Sequence, residues 1–169
     1  APQNAYGRSK LAGETGIANS GGTYAILRTS WVVSAHGTNF IKTMLRLSET
    51  HDVLNIVGDQ IGGPTPARDI AMACLQMAEQ LIQEPSKSGI YHFSGTPDVS
   101  WADFAREIFE QAGKSVTVTP IPTTDYPTPA QRPLNSRMDC TATKRVFGIE
   151  RPDWITGLKT ILDDLEART

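Results

Sequence analysis

The chain is 169 residues long, 39% apolar and 20% charged, with a formal net charge of −2 and a pI near 5.9. That length suits one domain with a real core, against ~100–200 residues per domain. The balanced charge leaves no basic stripe for nucleic acid, and no run approaches the ~18 apolar residues of a membrane span, so neither partner is expected. The opening APQNAYGRSK has no apolar leader core. The two cysteines, Cys74 and Cys140, are far apart and outside any CxxC or His/Cys cluster, and read as buried or inert thiols of a reducing, cytoplasmic compartment.

In chain order, helices alternate with strands, the pattern of an α/β fold. Asn4 is a plausible N-cap for a first helix through KLAGE, although Gly7 and Gly13 weaken it. The turn NSGG at 19–22 leads into TYAILRTSWVV, an apolar run that reads as one buried strand. After the loop SAHGTN, Asn39 can cap the helix FIKTMLRLSET, with Phe40, Met44, Leu45 and Leu47 as its apolar face. DVLNIV is a short strand, and GDQIGGPTPARD is too rich in glycine and proline to be anything but a loop. The helix ARDIAMACLQMAEQLIQE places Ile70, Cys74, Met77, Ala78 and Leu81 on one face, so its methionines belong to the core. GIYHFSG is a strand, Ser100 and Asp103 approach a capping box for WADFAREIFEQAG, and VTVTPIP is the last strand. The irregular, proline-rich stretch at 123–139 reads as a functional loop. Two helices close the chain, TATKRVFG capped by Thr141 and PDWITGLKTILDDLEA capped by Asp153. No repeat, low-complexity tract or GxGxxG dinucleotide fingerprint occurs.

Within the first helix, Tyr6 and Lys10 stand one turn apart and so face the same way. An ammonium beside a phenol favours the phenolate and equips the pair to trade a proton near neutral pH. The alternative is that Lys10 simply pairs with Glu14 on the next turn. The histidines His36, His51 and His92 are scattered, and no metal site is expected from them.

Several phrases, in order and spanning essentially the whole chain, carry a resemblance: NAYGRSKLAGE, RTSWV, GTNFIKTMLRL, DQIGGPT, YPTPAQRPLNSRMD and PDWITGLKTIL. Together they resemble the latter part of dTDP-4-dehydrorhamnose reductase, an extended short-chain dehydrogenase/reductase. The resemblance implies the C-terminal portion of an NAD(P)-binding Rossmann-type protein with its small α/β substrate lobe. On that reading residues 1–169 form a single fragment. About 1–35, with returning segments, end the dinucleotide domain, about 36–169 form the sugar-nucleotide lobe, and the glycine-bearing N-terminal half is absent, so the isolated fragment is expected to be inactive.

The implied reaction is reduction of the C4 ketone of a dTDP-bound 6-deoxy-4-keto sugar with NADPH or NADH. Tyr6 is the implied general acid, and Lys10 completes the catalytic pair while holding the cofactor ribose. Thr29 and Ser30 would pass near the nicotinamide. Trp31 would wall the sugar pocket, although a tryptophan ending a buried strand also suits a core. Asn39 and Phe40, Gln60 and Thr65 would shape the substrate site; the alternatives are an N-cap at Asn39 and a tight turn around Gln60 and Thr65. Arg132 and Arg137 would meet diphosphate or nucleotide, since guanidinium matches phosphate bidentately, unless they are solvated loop arginines. The resemblance further implies a dTDP-sugar substrate and, in some relatives, magnesium at a subunit interface; a homodimer is expected as a way to cover the sheet face that the absent half would bury. Where the family continues RTSWVYG, this chain has Val32, Val33 and Ser34. The alternatives of the same fold are a dinucleotide-binding regulatory subunit, resembling that of methionine adenosyltransferase, and an enzyme for another sugar nucleotide, such as an epimerase.

Overall fold

A computed structural model describes residues 2, 4–128 and 132–166. In chain order the elements are α1 (Ala5–Ala18), β1 (Ala25–Thr29), β2 (Val32–Val33), α2 (Phe40–Ser48), β3 (Val53–Val57), β4 (Ile61–Gly62), β5 (Thr65–Pro66) and α3 (Ala67–Gln83). Then come β6 (Gly89–Phe93), β7 (Val99–Ser100), α4 (Trp101–Gln111), β8 (Thr117–Ile121), α5 (Thr141–Phe147) and α6 (Trp154–Glu166).

Local chemistry accounts for where the helices start. The Asn4 side chain accepts from Gly7 N at 2.9 Å, satisfying an amide that the first turn of α1 leaves without a partner. Asn39 does the same for Lys42 N at 3.4 Å, and Ser100 for Asp103 N at 3.0 Å. Ser100 also donates to Asp103 Oδ2 at 2.7 Å, so the carboxylate holds the cap hydroxyl. At α5 the expected cap, Thr141, is already helical, and Asp139 Oδ1 accepts from its amide at 3.0 Å instead. Asp153 receives Ile155 N at 3.1 Å and the Thr156 hydroxyl at 2.7 Å at the start of α6.

The strands are short and pair across long stretches of sequence. β1 runs parallel to β6, β3 parallel to β8 and β2 parallel to β5, while β4 pairs antiparallel with β7. The strand expected through TYAILRTSWVV is two strands, because the backbone turns at Trp31, whose φ is 50°. The loop expected over GDQIGGPTPARD contains β4 and β5, each held by a partner strand that no local pattern announces.

Apolar side chains gather in two cores. One lies between β1/β6 and the helices α3 and α5, with Ala73, Met77, Leu81, Tyr91, Phe93 and Phe147 buried. The other fills the space between β3/β8 and the helices α2, α4 and α6. There Ile41, Phe104, Ile108 and Leu158 are almost fully excluded from water, each contributing ~1.5–3 kcal/mol through burial. The expected apolar face of α3 is only partly right: Met77 and Leu81 are buried, whereas Cys74 and Ala78 are exposed. Cys140 is buried. No helix among the described residues is long and apolar enough to cross a membrane.

Helix α1 is the outlier, with no buried residue. Its firm attachment is a bidentate pair in which Arg28 Nε donates to Glu14 Oε1 at 2.9 Å and Arg28 Nη2 to Oε2 at 2.5 Å. Glu14 therefore serves β1, and not the Lys10 pairing that its spacing allowed.

Candidate functional site

The site begins where β1 ends. Trp31 adopts a left-handed backbone, which costs a bulky residue ~1–3 kcal/mol and persists only where its surroundings enforce it. Thr65 supplies part of that enforcement. It has no accessible surface, its amide donates to Trp31 O at 2.9 Å, and its hydroxyl lies 2.8 Å from Ser30 O and 2.9 Å from Gly63 O. Gly95 N donates back to the same hydroxyl at 3.2 Å. With that oxygen enclosed and engaged on all sides, Thr65 shapes the Ser30–Trp31 turn from behind.

The Trp31 indole leaves the turn and stacks on Trp101, ring centroids 3.5 Å apart and planes 9° from parallel. Trp101 in turn meets Phe40 at 4.5 Å, and both line a cleft of about 670 Å³. Asn39, Gln60, Tyr126 and Arg132 line the same cleft. Asn39 spends its side chain on local structure, capping α2 and donating to Ser34 O at 2.6 Å. Buried Gln60 donates to the Thr123 hydroxyl at 3.1 Å, and that hydroxyl donates to Asp59 Oδ1 at 2.6 Å. The Thr123 hydroxyl, then its amide, hold the Asp59 carboxyl below the usual carboxylate range. This clasp fixes the start of the irregular loop, so that Tyr126 and Arg132 reach the cleft.

Thus the predicted residues Asn39, Phe40, Gln60 and Arg132 meet in one cleft, which Trp31 joins through Trp101. Arg137 is exposed and outside the cleft lining, its amide bound to Asn135 Oδ1 at 3.1 Å. Trp101 and Tyr126 were missed. Trp101 follows the Ser100 cap directly, where an aromatic residue is indistinguishable from ordinary helix-face packing.

Tyr6 and Lys10 behave as their spacing requires. The Lys10 ammonium lies 5.3 Å from the centre of the Tyr6 ring, and the tyrosine is 70% exposed. Thr29 and Ser30 lie at the carboxyl end of β1, where open parallel sheets place ligands. Alternation along β1 sets Thr29 on the face of Leu27, which packs on the α3 core, and away from Arg28, which faces α1. Its Oγ1 is buried without a hydrogen-bond partner, whereas Ser30 Oγ reaches Ser136 O at 3.5 Å. Among the described residues no group of His, Cys, Asp and Glu could hold a metal ion, and none of them is assigned to magnesium.

An extended α/β chain with a Tyr-Lys helix ahead of an aromatic cleft defines a class, and comparison with known proteins places the chain within it. The chain belongs to the family described as RmlD substrate binding domain, whose model matches residues 1–167. It is 46% identical over 159 residues to a dTDP-4-dehydrorhamnose reductase of Sinorhizobium fredii, covering 90% of this chain and 54% of that protein. A crystal structure of a dTDP-4-dehydrorhamnose reductase from Clostridium acetobutylicum matches with a TM-score of 0.89 and 38% identity, over 98% of this chain and 57% of that one. The Bacillus anthracis reductase, solved in complex with NADP, matches with a TM-score of 0.84 and 37% identity, over 97% and 56%. The chain therefore spans little more than half the length of the relatives it matches.

Proposed function

We propose that this chain supplies the proton donor and the sugar-nucleotide lobe of a dTDP-4-dehydrorhamnose reductase, the enzyme that converts dTDP-4-dehydro-L-rhamnose to dTDP-L-rhamnose. The observation that carries the reading is the convergence of Phe40, Trp101, Gln60 and Arg132 on one cleft, joined by the Trp31 stack to the end of the strand that follows the Tyr-Lys helix. Similarity to reductases of that name supports the substrate class.

The residues fit a nicotinamide cofactor. The exposed Tyr6 phenol with Lys10 over its ring offers a hydroxyl and a cation to ribose hydroxyls, and Ser30 places another hydroxyl at the strand end, while the Thr29 hydroxyl is enclosed on the α3 side and acts only by shaping that end. When bound, NADPH or NADH would supply a hydride to the C4 carbon. Tyr6 then donates its phenolic proton to the C4 oxygen, so that the carbonyl becomes an alcohol and no charge is left on the sugar. Lys10 offsets the negative charge that the phenol acquires. Arg132 and the aromatic rings hold the nucleotide, the guanidinium by bidentate contact with phosphate. Arg137, outside the cleft, is assigned to the approach of the diphosphate. Thr65 acts through the turn it shapes, and Asn39 through the start of α2.

The test is cofactor oxidation by the full-length reductase carrying this chain, supplied with dTDP-4-dehydro-L-rhamnose. Turnover supports the reading. Tight cofactor binding without turnover would favour a regulatory subunit, and turnover of a UDP-sugar instead would favour an epimerase-like relative.

A further inference from the structure

Asp59, Gln60 and Ile61, consecutive in sequence, grip the irregular loop that borders the cleft at both of its ends. At the near end, both carboxylate oxygens of Asp59 accept the Thr123 amide at 3.0 Å, and Oδ1 also accepts the Thr123 hydroxyl at 2.6 Å. At the far end, the Ile61 amide donates to Leu134 O and the Ser136 amide to Ile61 O, each at 2.8 Å. Thr123 opens a single 3₁₀ turn, Thr123–Asp125. Pro122 precedes that turn without a side-chain cap, so Asp59 supplies one from 64 residues away in sequence. The turn closes with the Tyr126 amide donating to Thr123 O at 3.1 Å, and Pro127 then confines the Tyr126 backbone. Tyr126 is therefore carried by the capped turn. It lines the cleft with Phe40, Trp101 and Arg132, whereas Asp59 and Thr123 stand outside that lining.

We propose that Asp59 is a positioning residue for nucleotide binding: by capping the turn at Thr123 it holds the Tyr126 ring as a wall of the cleft, against the base of a nucleoside diphosphate. The rings of Phe40, Trp101 and Tyr126 beside the Arg132 guanidinium match a planar base joined to a diphosphate. Charge alone makes an exposed carboxylate a poor neighbour for such a ligand, because it repels an anion. The three bonds to Thr123 give the carboxylate its use. Asp59 touches no ligand and acts only through the turn. That the ligand is a nucleotide rests on the reductase reading; the capping of the turn does not.

Calorimetry with dTDP on the full-length reductase tests the effect on binding. Tyr126→Ala is expected to weaken dTDP binding ~10-fold, and Tyr126→Phe, which keeps the ring, to leave it near wild type. Asp59→Ala is expected to weaken binding ~5–10-fold, and Asp59→Asn, which keeps an acceptor oxygen for Thr123, restores most of that loss. In a Tyr126→Ala background, Asp59→Ala adds less than ~2-fold, whereas a general loss of folded protein would add in full. Unchanged or tighter binding in Asp59→Ala, the latter being the sign that removal of charge alone gives, overturns the proposal. So does an equal loss with and without the Tyr126 ring. Hydrogen exchange in the 169-residue chain tests the cap by itself: the Thr123 amide is expected to be slowed in wild type and fast in Asp59→Ala, while the amide of buried Phe104 is unchanged. A Thr123 amide indifferent to Asp59→Ala overturns the cap. If the wild-type reductase binds no dTDP, the reductase reading falls, and the Thr123 amide still decides the cap.

Discussion

One oxygen atom separates Tyr6 from phenylalanine, and the account gives that atom the proton that completes the reduction. Tyr6→Phe in the full-length enzyme is expected to lower kcat by ~10²–10⁴ with little change in substrate binding, and steady-state kinetics with both substrates varied will show it. Arg132 plays a different part. Loss of a charge-assisted hydrogen bond costs ~1.5–3 kcal/mol, so Arg132→Ala should weaken dTDP binding ~10–100-fold, and titration calorimetry with dTDP reads this directly. An affinity within twofold of wild type would return Arg132 to the solvated loop. The Tyr6–Lys10 approach and the place of Arg132 at the cleft were legible from sequence, because residue type and spacing announced them. Trp101 was not, since an aromatic residue that opens a capped helix reads as ordinary helix-face packing.

At the scale of the element, helix α1 presents the sharpest problem, since it carries Tyr6 and Lys10 yet buries nothing. The Arg28 guanidinium hydrogen-bonded to Glu14 holds that carboxyl below its ordinary value of 4.5. A carboxyl depressed in the folded state contributes stability that is present above the unfolded value and is lost as pH falls through the folded one. Glu14→Gln should therefore cost ~0.5–1 kcal/mol at neutral pH, a small figure because the Arg28 side chain is partly solvated. The gap between variant and wild type should close in acid, and urea midpoints across pH 3–7 would measure it; a gap that is flat with pH, or wider in acid, would contradict the ion-pair assignment. The long helices were well predicted, because capping residues and 3.6-residue periodicity are local signals. The two-residue strands β4, β5 and β7 were not, and β2 was read as a continuation of β1, because each exists only through a partner distant in sequence. Cys74 was misplaced for a related reason: α3 is short of partners on one side, and its pattern of apolar residues is wider than the face it buries.

For the whole molecule, two cores joined through short strand pairs explain why the cleft is well defined while α1 is lightly held. The lobe core depends on Phe104, which has no accessible surface. Phe104→Ala is expected to destabilise by ~3–5 kcal/mol through lost burial and a residual cavity, and should remove the cooperative transition in thermal denaturation at the temperatures where wild type stays folded. A drop below 1 kcal/mol would mean that the core collapses around the deletion. The overall α/β class followed from the alternation of periodic segments, whereas the division of the chain between two cores did not, since α3, β6 and α5 return to the first core after the chain has entered the second.

The central claim is that Tyr6 and Lys10 serve a reduction whose substrate lies in the cleft of this chain. The most direct measurement is loss of nicotinamide absorbance with dTDP-4-dehydro-L-rhamnose, using the full-length reductase, its Tyr6→Phe variant and the 169-residue chain side by side. The account predicts oxidation of the cofactor by the first, a rate lower by ~10²–10⁴ in the second, and none in the third. Equal rates for the first two would remove Tyr6 from the chemistry, and turnover by the isolated chain would mean that the cofactor site lies within these residues.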